Sequence, residues 1–112
     1  MRRGQVWWGD LGDPRRSAPG GRSPLVIVSD DAFNRSRIAT VTVVPVTTNL
    51  RWAKAPGNVF VPKGAGGLPE DSVANVSQVA TVDRSDLGQQ MGKLDPMLIR
   101  QVDAGLRRAL GL

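Results

Sequence analysis

The segment "PLVIVSDDAFNRSRIATVTVVPV", residues 24–46, decides the fold. Its apolar run Leu25-Val26-Ile27-Val28 does not alternate with polar residues, so residues 24–28 read as a strand buried on both faces. Ser29, Asp30 and Asp31 then offer capping side chains for a turn of helix through Ala32 and Phe33. Residues 38–46 are dense in β-branched side chains and read as a third strand. Pro45 within it predicts an edge position or a bulge, because proline cannot donate to a ladder. Just upstream, Gly20, Gly21 and Arg22 set a cation on a glycine loop at the mouth of the buried strand.

Outward from this centre, residues 5–11 read as a first strand and residues 12–23 as a loop dense in Gly, Pro and Arg. Trp7 and Trp8 are adjacent in that first strand, so they point to opposite faces, one core and the other surface or interface. Residues 47–57 form a second polar loop, residues 58–61 a short strand, and residues 62–69 must turn. Within 72–82, Val73, Val76, Val79 and Val82 are spaced by three, but their β-branching favours a strand with a bulge over a helix. Near the C-terminus Asp95 is a good N-cap with Pro96 at the first helical position. Ile99, Val102, Leu106 and Leu110 then fall on one helical face, and Gly111 ends the helix. Short strands interrupted by Gly and Pro predict a mainly β fold with α. The expected form is a small SH3-like antiparallel β-barrel with a C-terminal helix, one domain over residues 1–112.

Composition narrows the chemistry. The 112 residues include no cysteine, which excludes disulfides and thiolate zinc sites and makes a reducing cytoplasm the expected compartment. There is no histidine, so the commonest general base and metal ligand is missing. No apolar core of signal-peptide length follows the basic start, and no stretch is long enough to span a membrane. Net charge is +5. Lys54, Lys63 and Lys93 are the only lysines, so twelve of the fifteen cations are arginine, the residue suited to bidentate phosphate contacts. A charge of this sign favours nucleic acid or an acidic protein as partner, against the plain alternative of a soluble basic surface.

Two polar clusters stand out. Arg15, Arg16, Ser17, Gly20, Gly21 and Arg22 could cradle a phosphate, although taken alone they favour a solvated loop whose arginines keep the protein soluble. Thr47-Thr48-Asn49-Leu50-Arg51-Trp52-Ala53-Lys54 places a large ring between cations on a polar loop. That arrangement suits base stacking with phosphate contacts, the alternative being that Trp52 folds back as a lid. The carboxylates form no convincing site: Asp30 and Asp31 start a helix, and Asp83, Asp86, Glu70 and Asp71 sit in connections. No metal site is expected.

Nearly the whole chain resembles the MazF/PemK family of toxin endoribonucleases from toxin–antitoxin pairs. The resemblance is carried by "RRGQVWWGDLGDP", "PLVIVSDDAFNRSRIATVTVVPVTTN" and "PGNVFVPKGAGGLPEDSVANVSQVATVD". The ending "GKLDPMLIRQVDAGLRRALGL" is similar to the family's terminal strand and helix. The resemblance implies a cytoplasmic homodimer that cuts single-stranded RNA, mRNA included, with no metal and no cofactor. The reaction implied is attack of a ribose 2′-hydroxyl on the adjacent phosphorus, leaving a 2′,3′-cyclic phosphate and a 5′-hydroxyl. An acidic, MazE-like antitoxin is the implied inhibitor, occupying the same basic groove.

Carried over residue by residue, Thr47 matches the family's active-site threonine, Ser17 and Gln78 match site positions more loosely, and Asn34 falls in the turn after the second strand. Thr48, Asn49, Arg51, Trp52 and Lys54 complete the expected RNA contacts. Three positions depart from the family: Gln5 and Ser77 stand where acids are common, and Ser23 takes the place of the catalytic arginine. Arg22 lies one residue earlier, where the flexibility of Gly20 and Gly21 is expected to let it swing back toward the phosphate. The expectation is an attenuated ribonuclease using Arg22, Thr47 and the position of Ser23. Two alternatives remain: a non-catalytic toxin like the gyrase-poisoning CcdB family, which shares the fold, and a basic barrel that binds RNA without cutting it.

Overall fold

The computed structural model describes residues 1–12 and 21–112. The chain folds as β1 (Gln5–Asp10), β2 (Arg22–Ile27), α1 (Asp31–Asn34), β3 (Thr40–Thr47), β4 (Val59–Val61), β5 (Ser72–Ala74), β6 (Ala80–Asp83), β7 (Leu87–Lys93) and α2 (Pro96–Leu110). The strands make one antiparallel sheet in the order β4-β5-β3-β2-β1-β7, with β6 pairing to β3. It is a curled, barrel-like sheet with a C-terminal helix, the mainly β architecture expected.

Strand β2 is buried on both faces, as its unbroken apolar run requires. Val26 joins Val6, Val44, Val46 and Val61 beneath Leu98 and Val102 of α2. Leu25 and Ile27 pack on the other side with Val41, Val43, Val82 and Leu87. Helix α2 begins where Asp95 accepts a hydrogen bond from the Leu98 N–H at 2.9 Å and ends at Gly111 with φ 72°. Its buried face is Leu98, Val102 and Gly105, with Ile99 and Leu106 half-buried. Leu110, expected on that face, is 55 % exposed.

Four features differ from expectation beyond a one-residue shift of a strand end. Strand β2 begins at Arg22 rather than residue 24. The β1–β2 ladder continues through Gly9↔Ser23 and Asp10↔Arg22, and the Leu11 N–H then donates to the Gly21 carbonyl at 2.9 Å. Arg22 is therefore strand, not loop. The third strand starts at Thr40, because Arg84 draws the preceding segment away by donating from Nε to the Ile38 carbonyl at 2.7 Å. Pro45 sits in a central strand, neither edge nor bulge. Its carbonyl accepts from the Asn75 N–H at 2.9 Å, on the side where the partner of β3 changes from β6 to β5, so the missing N–H falls in a gap of the ladder. The expected strand over 72–82 is two strands separated by a 3-10 turn at Val76–Gln78.

Strand β7, "LGQQMGK", carries no β-branched residue and gives no strand signal of its own. Pairing with β1 makes it a strand. A Cβ on Gly92 would come within 2.7 Å of the Gly66 carbonyl group, so glycine is what allows the two backbones to pack there.

Candidate nucleic-acid interface

Thr47 closes β3, and its side-chain oxygen accepts the Asn49 N–H at 3.1 Å. The Asn49 side chain in turn accepts the Arg51 N–H at 3.2 Å and caps a 3-10 turn at Leu50–Lys54. These local bonds are what short polar side chains do at the end of a strand. The result is a loop on which Thr48, Asn49, Arg51, Trp52 and Lys54 are all exposed. No residue of the turn is buried, and Trp52 remains 45 % exposed, so its ring is not sealed into the core. The loop brings together a hydroxyl, two cations and an aromatic face.

The β2–β3 ladder runs from Ile27↔Val43 to Leu25↔Pro45 and ends there, two residues short of Ser23 on one strand and of Thr47 on the other. Arg22 has the opposite parity. It pairs with Asp10, shares a face with Trp8, and holds its guanidinium 5.9 Å from the centre of the Trp8 ring. The expectation that glycines swing Arg22 back toward Thr47 is thus corrected: once the residue joins the ladder, its side-chain direction is set by the pleat. The Ser23 hydroxyl is buried without a hydrogen-bond partner among the described residues.

Asn34 also departs from its expected RNA contact. It is 4 % exposed and stands by the opposite end of β3 from Thr47. Its amide donates to the Ser29 carbonyl at 2.8 Å and to the Asp31 side chain at 3.0 Å, and its oxygen accepts from the Ser29 hydroxyl at 2.7 Å. No polar group is left for a ligand. Gln78, half-buried, ends the turn at Val76–Gln78, near the Pro45 gap. Ser17 lies outside the described residues. Gln5, at a position where the family has an acid, accepts from the Arg2 N–H at 2.9 Å and the Trp7 ring nitrogen at 3.0 Å.

One feature of the surface was only half legible. Trp7 packs against the second core, while Trp8 lines a cleft of about 400 Å³ with Gly67, Gln89, Gln90 and Met91. The adjacency of the two tryptophans predicted the division, but the strand that builds the cleft wall carried no β signal. Among the described residues no group of three or more acids is placed to hold a metal ion, and no helix is long and apolar enough to cross a membrane.

Residues 2–110 match the family model described as PemK-like, MazF-like toxin of type II toxin–antitoxin system. The chain is 42 % identical over 110 residues to Endoribonuclease MazF6 of Mycobacterium tuberculosis, covering 98 % of this chain and 96 % of that protein. An endoribonuclease from a mycobacterial species, solved in complex with its cognate antitoxin, superposes with a TM-score of 0.82 at 32 % identity, covering 100 % of this chain and 96 % of that one. MazF of Deinococcus radiodurans shares the fold, with a TM-score of 0.84 at 22 % identity over 100 % of this chain and 97 % of that one.

Proposed function

This chain belongs to the PemK-like, MazF-like toxin family of type II toxin–antitoxin systems, and we propose that it is an endoribonuclease cutting single-stranded RNA by 2′-hydroxyl attack. The bond formed is O2′–P and the bond broken is P–O5′, leaving a 2′,3′-cyclic phosphate and a 5′-hydroxyl. Such chemistry needs fixed donors aimed at the charge that develops on the phosphorane, and it can run without a histidine.

The observation that carries this reading is the exposed loop over residues 47–54. Thr47 accepts the Asn49 N–H through its oxygen, which leaves the hydroxyl proton to donate to a non-bridging phosphate oxygen. Arg51 and Lys54 meet backbone phosphates, and Trp52 offers a face to a base. Thr48, Asn49 and Gln78 line the path of the strand. Position 23 is the weak point: it presents a serine, so the guanidinium donor is missing there.

Charge and apolar surface support the partners. An acidic antitoxin segment is drawn to the same cations that bind RNA. A second copy of the chain covers apolar surface such as Phe33, Ile38 and Leu110, which are 57 %, 46 % and 55 % exposed. The compartment is the cytoplasm, consistent with a chain that has no cysteine and acts on mRNA.

The deciding experiment incubates purified protein with mixed-sequence RNA in EDTA and analyses the new ends. Cyclic phosphate and 5′-hydroxyl ends are expected; 5′-phosphate ends, or a dependence on added metal, would overturn the mechanism. Tight RNA binding with no cleavage would favour the second reading, a binder disarmed by Ser23.

A further inference from the structure

We infer that Asn58 is a positioning residue for RNA cleavage, holding the loop of Arg51, Trp52 and Lys54 against the turn that carries Gln78. The inference rests on the ribonuclease reading above and concerns a residue outside the loop itself.

Asn58 precedes β4 and spends its whole side chain on neighbours. Its amide nitrogen donates to the Trp52 carbonyl at 3.0 Å and to the Asn75 side-chain oxygen at 3.2 Å. Its oxygen accepts the Val76 N–H at 2.9 Å. Asn75, only 9 % exposed, receives a further bond from the Ser77 hydroxyl at 2.8 Å. The backbone of Asn75 reaches β3 through the Pro45 carbonyl, two residues before Thr47. One amide therefore links three segments: the Trp52 turn, the Val76–Gln78 turn, and, through Asn75, the end of the strand that presents Thr47.

That link matters because the loop has no fully buried side chain. None of Leu50–Lys54 is buried. Among the described residues, the bond from Asn58 to the Trp52 carbonyl is the one side-chain hydrogen bond joining that turn to a residue outside the loop. A loop without a fully buried anchor opens at low free-energy cost, and the residue that closes it sets how much RNA-binding surface is preorganised.

The test uses Asn58→Asp, which keeps the acceptor for Val76 but replaces both donations with a repelling oxygen, and the milder Asn58→Ser. Cleavage is measured on a labelled single-stranded RNA that the wild-type protein cuts. Loss of two hydrogen bonds should raise KM about tenfold while kcat stays within about threefold, because binding surface is lost rather than the reacting group. Fluorine NMR of protein labelled with 5-fluorotryptophan should show the Trp52 resonance, assigned with Trp52→Phe, moving toward its unfolded position while Trp7 and Trp8 hold theirs. In the wild-type protein the Asn58 side-chain amide protons should exchange slowly, a requirement that stands even if neither variant folds. An unchanged KM per folded molecule, an unmoved Trp52 resonance, or fast exchange in the wild type overturns the assignment. A wild-type protein that cuts no RNA overturns the ribonuclease reading instead, and the fluorine spectra then still report whether Asn58 holds Trp52.

Discussion

The guanidinium of Arg22 stands 5.9 Å from the centre of the Trp8 ring, because Arg22 and Trp8 share one face of the β1–β2 ladder and Ser23 takes the other. A cation beside this half-buried aromatic ring gains about 0.5–1 kcal/mol, enough to bias a long side chain without locking it. The Arg22 side chain thus lies with Trp8, on the face it shares with Asp10.

Trp52→Ala should weaken RNA binding more than it weakens the fold. The ring is half-exposed, so its removal opens no core cavity. Stacking on a base is worth about 1–3 kcal/mol, so affinity should fall roughly tenfold to a hundredfold. Calorimetry and RNA titration of the same preparation check this. A collapse of thermal stability with unchanged affinity per folded molecule would show that the ring is structural.

Asn34→Ala should do the reverse. It removes the bonds to the Ser29 hydroxyl, the Ser29 carbonyl and the Asp31 carboxylate, while the Thr42 N–H still serves Ser29 Oγ and the Arg3 N–H still serves Asp31. The loss of these bonds around a buried side chain should lower the melting midpoint by several degrees. RNA affinity of the folded fraction should not change; a selective loss of affinity would return Asn34 to the binding surface.

The same corner carries a pH signature. The Arg3 backbone N–H, donating to the Asp31 carboxylate at 2.7 Å, and the Asn34 amide hold its pKa below the usual value of about 3.9. A depressed folded pKa contributes stability that is complete above the unfolded value and is lost as pH falls through the folded one. Asp31→Asn should therefore lower the melting midpoint at pH 7, and the gap from wild type should shrink below about pH 4. Midpoints measured from pH 7 to pH 2.5 decide the matter, and a gap that stays constant across that range would overturn the assignment.

How much of this was legible in the sequence depends on how local each cause is. Helix α2 was legible because Asp95, Pro96 and Gly111 act within a turn of themselves. The double burial of β2 was legible because an unbroken Leu25–Ile27 run has no polar side to expose. By contrast, β7 owes its strand to β1, and the break within 72–82 owes its place to the tie between Asn75 and Pro45 across the fold. The loop over residues 47–54 was readable because its caps are two residues apart. The face taken by Arg22 was not, because it depends on how far the β1–β2 ladder runs: the Gly21 N–H bonds the Gly12 carbonyl at 2.6 Å, and the pleat does the rest.

Position 23 supplies the sharpest test. Ser23 lies two residues beyond Leu25 and Thr47 two beyond Pro45, the last pair of the β2–β3 ladder, but a serine brings no positive charge. Its hydroxyl is buried without a partner among the described residues. A guanidinium there would have to leave that enclosed spot, and its length allows it to extend along the surface toward Thr47. One well-placed donor to a developing oxyanion is typically worth about a hundredfold to a thousandfold in rate. Ser23→Arg should therefore raise kcat by up to that factor, with little change in KM. Arg22→Ala should act differently, because its side chain faces the Trp8 cleft: kcat should hold, while RNA binding weakens and its salt dependence loses about one phosphate contact. Single-turnover cleavage at several salt concentrations separates the two effects. If Ser23→Arg changes nothing while Arg22→Ala abolishes cleavage, then RNA binding draws Arg22 across from Trp8 to the phosphate, and the chain is not attenuated at all.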